Sequence, residues 1–187
     1  MSSRYDAAMF EGETIGNLIE RLARLQAAGQ WLGDLNPVQR AALAYLGRAN
    51  RFSRKPSLVA EYLSATRGTV SQTLKVLIRK GYVTERSAPG DGRARQLALT
   101  DAGWAALRTE DSLQLAITRL EPHQVQDLEQ GLIDVLNAAL AERGGRSFGL
   151  CASCRHHQMR QDGRFCGLLD LPLDPPEAGQ ICFEHAA

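Results

Sequence analysis

Cysteine is missing from the first 150 of the 187 residues, which leaves most of the chain without thiol chemistry or disulfide bracing. Aromatic residues are scarce, at 6%. No apolar run approaches the ~20 residues that a membrane-spanning helix needs. The opening MSSRYDAAMFEGETIG has no apolar stretch of the kind a secretory leader carries, so a cytoplasmic location with no membrane partner is expected. Catalytic patterns are absent too: there is no nucleotide-binding glycine loop, no Ser/His/Asp arrangement and no helix-borne His-Glu metal motif. His123, alone beside Pro122, reads as a surface residue rather than a base. What remains is a chain with 44% hydrophobic residues and mixed charge, enough for a folded core.

The formal net charge of +1 conceals an uneven distribution. Residues 31 to 100 hold 12 Lys+Arg (Arg40, Arg48, Arg51, Arg54, Lys55, Arg67, Lys75, Arg79, Lys80, Arg86, Arg93, Arg95) against Asp34, Glu61, Glu85 and Asp91, a balance of +8. The remainder carries −7. A basic middle between acidic flanks is the electrostatic footprint of a nucleic-acid-binding module.

Periodicity gives the organisation. Ile15, Leu18, Ile19, Leu22 and Leu25 recur at helical spacing and predict a helix over about 11–28. Asn36 and Pro37 supply the cap and first residue of a second helix ending near Arg48. A basic connector (51–56) leads to a short helix over 57–63, a turn at Ser64-Ala65-Thr66, and a helix from Arg67 to Lys80 stopped by Gly81. Val70, Leu74, Leu77 and Ile78 form its buried stripe. Two short helices around a small-residue turn, the second basic, read as helix-turn-helix. Strands are then expected at 82–86 and 95–100 around a turn at 87–92, a hairpin in the position of a wing. Helical spacing returns from Asp101, restarts at Pro122 and ends at Gly144-Gly145.

With these pieces in order, the sequence resembles the MarR family of winged-helix bacterial regulators. The resemblance is carried by Leu35-Asn36-Pro37, by SLVAEYLSATRGTVSQTLKVLIRKGYVTER (57–86) and by DGRARQLALTDAG (91–103), and it spans about residues 11–143. It implies a mainly α fold with a small β wing, dimerised through the N- and C-terminal helices. It further implies a homodimer on a pseudo-palindromic double-stranded DNA operator, with one helix of each lobe in a major groove and the wings at minor grooves. The residues themselves agree. Arg67, Thr69, Ser71, Gln72 and Lys75 lie on the outward face of the helix; Gln72 suits bidentate pairing with adenine, while Arg67 and Lys75 suit phosphate. Arg93, near Asp91 and Arg95 in the wing, suits a narrow minor groove. The apolar stripes of the first and last helices lack a partner within the lobe, and dimerisation would bury them. The expected division is 1–34 dimerisation helix, 35–100 DNA-binding lobe, 101–143 dimerisation helices and 144–187 tail.

The resemblance stops before the tail, where Cys151, Cys154, Cys166 and Cys182 all fall, with His156, His157 and His185. Two thiols at C-x2-C spacing can serve one metal centre, and two single cysteines complete a set of four. Arg155 stands where C-x-x-C-H haem attachment needs histidine, which excludes haem. Irregular spacing favours an iron–sulfur cluster (2Fe-2S or 4Fe-4S) over zinc, whose sites usually pair two knuckles; a histidine in place of one cysteine and disulfide switching stay open. The tail, poor in apolar core, needs such a staple. Its Gly167–Leu173 stretch is expected to lay leucines on the dimer helices and so couple the metal to lobe spacing. The sequence thus points to a DNA-binding repressor controlled by an iron–sulfur centre that senses redox or iron status. The alternative is the same regulator with structural zinc and a small aromatic signal ligand. A redox enzyme or electron carrier is the reading from a different class.

Overall fold

A computed structural model describes residues 3–29, 34–88, 91–108 and 112–186, with side-chain surroundings over 14–28, 34–86, 96–108 and 112–186. The chain opens with helix α1 (Ser3–Gly29), then α2 (Pro37–Arg48), α3 (Pro56–Tyr62), α4 (Arg67–Arg79), strands β1 (Val83–Ala88) and β2 (Asp91–Leu99), and helices α5 (Asp101–Leu107), α6 (Ser112–Ile117) and α7 (Pro122–Glu142).

Local chemistry sets these boundaries. Asn36 caps α2 by accepting from the Gln39 backbone N–H at 2.9 Å, and the Gln39 side chain accepts from the Asn36 N–H at 3.2 Å. Thr66 caps α4 by accepting from the Thr69 N–H, and Thr100 caps α5 by accepting from the Gly103 N–H. Gly81 ends the α4 turn at φ +75°, a conformation that glycine adopts without steric cost. Leu43 and Leu46 of α2, Val59 of α3, Val70, Leu74 and Leu77 of α4, and Val83 and Leu97 of the hairpin are buried together. α3, α4 and the β1–β2 hairpin therefore share one core, as a winged helix-turn-helix requires.

The wing differs from expectation in extent. Residues 87–88 and 91–92, expected in a turn, belong to the strands; the register runs from Val83 opposite Leu99 to Ser87 opposite Arg95, then shifts so that Ala88 faces Asp91. The shift marks a bulge, which adds local twist to the hairpin. Pro89 and Gly90 lie outside the described residues. Beyond the lobe, α5 and α6 are separate elements. The stripes of α1 and α7 are exposed: Leu25 at 60% and Leu136 at 53%, with Leu18 and Val135 similar.

The tail folds as β3 (His157–Arg160), β4 (Gly163–Cys166) and β5 (Leu171–Pro172), an antiparallel sheet in that order, flanked by 3-10 turns at Cys151–Ser153 and Pro175–Gly179. It packs on the winged-helix lobe of its own chain. Ile181 enters the lobe core, and Phe148 sets its ring edge-on to Tyr45 and Tyr62 at 6.1 and 5.4 Å. The expectation that the tail leucines lie on the dimer helices is therefore corrected. Leu173 is buried with the cysteines, Leu169 packs beside it, and Leu168 and Leu171 face outward.

The glycine at the end of the DGRARQLALTDAG stretch has a packing reason. A Cβ on Gly103 would run into the Tyr82 carbonyl oxygen, the same atom that accepts from the Thr100 N–H at 3.1 Å. Gly103→Ala is expected to destabilise the lobe by about 2–3 kcal/mol, read as a lower urea midpoint; an unchanged midpoint would show that α5 can shift freely.

Candidate functional site

α4 has two distinct faces. Val70, Thr73, Leu74 and Leu77 are buried, whereas Arg67, Thr69, Ser71, Gln72, Lys75 and Arg79 are exposed. The five α4 residues singled out from sequence thus share the solvent side. Thr69 is partly engaged, its hydroxyl 2.8 Å from that of Thr66. Between the starts of α3 and α4 lies an open hollow of ≈ 320 Å³ lined by Pro56, Ser57, Arg67 and Ser71. Ser57, Ser71 and Arg67 supply its polar lining. Asp91, Arg93 and Arg95 lie on β2, with Arg95 opposite Ser87; their side chains fall outside the described residues.

Several cations counted toward the basic middle are turned inward. Arg51 pairs with Asp174 and Glu177, both at 2.9 Å, donates to the Pro172 carbonyl at 2.6 Å and lies over the Phe52 ring at 4.7 Å. Arg54 donates to the Ala49 carbonyl at 2.8 Å, and burial lowers its pKa. Lys80 pairs with Asp34 at 3.2 Å. The connector at 51–55 is thus largely a dock for the tail, and the cations presented on the α4 face are Arg67, Lys75 and Arg79.

The four cysteines converge although up to 31 positions separate them. Cys151, Cys166 and Cys182 are buried in one cluster with Leu173, closed by Phe52 and Leu169, and Cys154 is half-buried beside it. All four are free thiols. Cys151 and Cys154 flank a tight turn in which the Cys154 N–H donates to the Cys151 carbonyl at 3.1 Å. Cys166 ends β4 opposite His157. The Ala186 N–H donates to the Cys154 sulfur at 3.5 Å. Burial, followed by the neighbouring Cys182, Cys166 and Cys154, pushes the Cys151 thiol up to about 11; burial also raises Cys182. Burial thus disfavours the thiolate forms of Cys151 and Cys182, which makes both poor nucleophiles for disulfide exchange.

The histidines divide by position. The two ring nitrogens of His185 face the Ser147 and Ser153 hydroxyls, each at 3.1 Å, and its ring packs so closely on Gly149 that a Cβ there would come within 2.5 Å. His185 is a clasp for the tail. His157 faces Arg164 at 3.4 Å. Among the described residues no three His, Cys, Asp or Glu side chains close on one point as ligands of a single ion would.

The architecture is that of a winged helix-turn-helix protein with flanking helices. Residues 33–94, which take in α2, the helix-turn-helix and most of the wing, match the model of the MarR family. Among solved structures, a MarR family transcription regulator is 19% identical with a TM-score of 0.58, over 76% of this chain and 97% of its own. The S. aureus MepR–DNA complex is 19% identical with a TM-score of 0.52, over 69% and 97%. At such identity the likeness establishes the fold. No curated protein matches the chain.

Reading the sequence missed Asn50, Arg51 and Ser53 as tail-binding residues. They sit in an aperiodic connector, and their partners lie more than 100 positions away. His185 offers a test of the clasp. Burial holds its pKa below 6.5, with Ser153 acting in the opposite sense, so the unfolded chain takes up a proton first as pH falls. Stability is unpenalised above that value and declines below it. The urea midpoint should therefore drop between about pH 8 and about pH 5, and His185→Gln should flatten that fall. Equal slopes for the two proteins would remove His185 from this role.

Proposed function

We propose that the chain is a transcriptional regulator, a repressor of the MarR type, that binds a pseudo-palindromic operator in duplex DNA as a homodimer in the cytoplasm. The observation that carries this reading is the exposed α4 face, Arg67 to Lys75, standing ahead of a wing within the segment that carries the MarR family pattern. MepR, of the same fold, was crystallised with DNA, which supports the assignment. The exposed stripes of α1 and α7 supply apolar area for a second copy, and burying them would remove a surface that a monomer would expose to water. In this reading Gln72 reads base edges, with Ser71 and Thr69 beside it; Arg67 and Lys75 hold phosphates, and Arg93 reaches the minor groove. No residue is assigned a catalytic role. Gln72→Ala should relax base preference with little loss of overall affinity. Lys75→Ala should weaken all sequences alike and lower the salt slope by about one, and Arg93→Ala should weaken binding. Fluorescence titrations that find the three variants equal to the parent protein would overturn this docking.

We further propose that Cys151, Cys154, Cys166 and Cys182 hold an iron–sulfur cluster whose assembly or loss, following redox or iron status, sets DNA affinity. The donor chemistry supports the fit: four free thiols, three of them buried, with an N–H aimed at the Cys154 sulfur. When bound, the cluster would supply a redox- and oxygen-sensitive charge; the chain's part is to shield it with Leu173, Leu169 and Phe52 and to stabilise thiolate sulfur. Anaerobic purification followed by iron, sulfide and zinc analysis decides the cofactor. Iron with acid-labile sulfide, lost in Cys154→Ala, is the expected result; one zinc per chain and no iron would overturn the cluster.

A further inference from the structure

Arg51 meets the tail with its side chain and the wing with its backbone. The guanidinium pairs with Asp174 and Glu177, donates to the Pro172 carbonyl at 2.6 Å and lies over the Phe52 ring. The Glu177 carboxylate is buried and also accepts from the Asp174 N–H at 2.8 Å, so the segment at 172–177 closes around the guanidinium. A side chain held at so many points leaves its own backbone little freedom to rotate. The Arg51 carbonyl turns to β2, where it accepts from the Gln96 side chain at 2.9 Å.

Gln96 stands at the root of the wing. It lies opposite Arg86 in the hairpin, and Leu97 beside it donates its N–H to the Arg54 carbonyl at 3.0 Å. Val83, Leu97 and Leu99, hairpin residues that enter the lobe core, belong to the same end. β2 reaches this root after passing Asp91, Arg93 and Arg95. A two-stranded ribbon has little stability of its own, so the contacts at its root set where its tip lies. Two of those contacts, at Gln96 and Leu97, come from the connector. The tail grips that connector along its backbone as well: the Ile181 N–H donates to the Arg48 carbonyl at 2.8 Å, and the Asn50 N–H to the Ile181 carbonyl at 2.9 Å.

We propose that Arg51 is a positioning residue through which the docked tail aims the wing at DNA. This role rests on the reading that α4 and the wing bind duplex DNA, and it holds whatever the four thiols bind. The segment at 172–177 holds the guanidinium, the guanidinium fixes the Arg51 backbone, and the Arg51 carbonyl holds Gln96 and with it the course of β2 toward Arg93. The tail thereby adds to DNA affinity by way of the wing. An exposed ion pair would contribute little to such a link, but Glu177 is buried, and a buried carboxylate without its cation is strongly unfavourable. α4 lies off this route. Its placement comes from its own buried stripe of Val70, Leu74 and Leu77 and from the Thr66 cap. Loosening the grip on Arg51 therefore weakens the wing contact and spares base reading by Gln72.

The test uses the full chain as purified and a duplex selected by the wild type from a randomised library, with binding read by fluorescence titration. Arg51→Gln and Glu177→Gln loosen the tail's grip, and Gln96→Ala cuts the link on the wing side. Each should weaken binding by about 5- to 10-fold, within the usual range of coupling between two sites. The double variant Glu177→Gln with Gln96→Ala should bind no more weakly than the weaker of its two parents, because a route already cut is not cut twice. Arg93→Ala should lose less affinity in the Arg51→Gln background than in the wild type, while Gln72→Ala should relax base preference equally in both. General destabilisation of the lobe would instead give losses that add and would blunt base preference. If Arg51→Gln does not fold, Glu177→Gln takes its place. Variants that bind like the wild type, or Glu177→Gln and Gln96→Ala losses that add in full, would overturn the role of Arg51 while leaving DNA binding standing. A wild type that selects no duplex from the library would overturn the DNA-binding reading, and the role of Arg51 with it.

Discussion

The attachment of residues 181–183 to the connector between α2 and α3 is the constraint on which the rest of the tail depends. Ile181 fills a place in the lobe core, and its two backbone bonds lock the strand direction on either side of Cys182. Arg51 secures the same face from outside by pairing with Glu177, whose carboxylate is buried and would be costly without that partner. Because Cys182 is fixed here, the Cys151–Cys154 turn and Cys166 must gather around a point set by the lobe. The tail does not form a core alone: its cluster holds a single buried leucine, and one of the groups closing it, Phe52, comes from the connector.

That arrangement changes how charge in the central segment should be understood. A balance of +8 over residues 31–100 suggests a broad basic surface, but part of it neutralises the tail and part is buried. The charge that remains on α4 is spread along its exposed face, from Arg67 beside Ser57 and Ser71 to Lys75 and Arg79. Cations held on one rigid helix face suit phosphate contact at defined places better than diffuse attraction does.

The legible parts of the sequence were those in which neighbouring residues determine the structure. Asn36-Pro37, Thr66 and Gly81 announce helix ends through local hydrogen bonding and backbone conformation, and the α4 stripe announces its buried face through spacing alone. The wing was legible as a hairpin, but its strands extend further because the bulge near Ala88 absorbs residues that carry a turn-like composition. The convergence of the cysteines was readable from their crowding in a segment poor in core. Where the tail would dock was not. Asn50 and Ser53 look like ordinary connector residues, and nothing in their spacing reveals that a strand some 130 positions later completes their hydrogen bonds.

Burial of the thiols carries the argument furthest. Three sulfurs, each a weak hydrogen-bonding group, are enclosed with little else, and an amide N–H approaches the fourth, that of Cys154. If apolar packing were all that the cluster required, valine or leucine would fill the space with more contact area and no donor would need to point inward. If the purpose were a disulfide, the thiols would be better placed where a thiolate forms easily, and burial does the opposite, holding Cys151 near 11. Amide donors gain most from sulfur once it is negatively charged, and four thiolates side by side in a low-polarity setting need a cation to offset their repulsion. A soft metal centre meets both requirements at once.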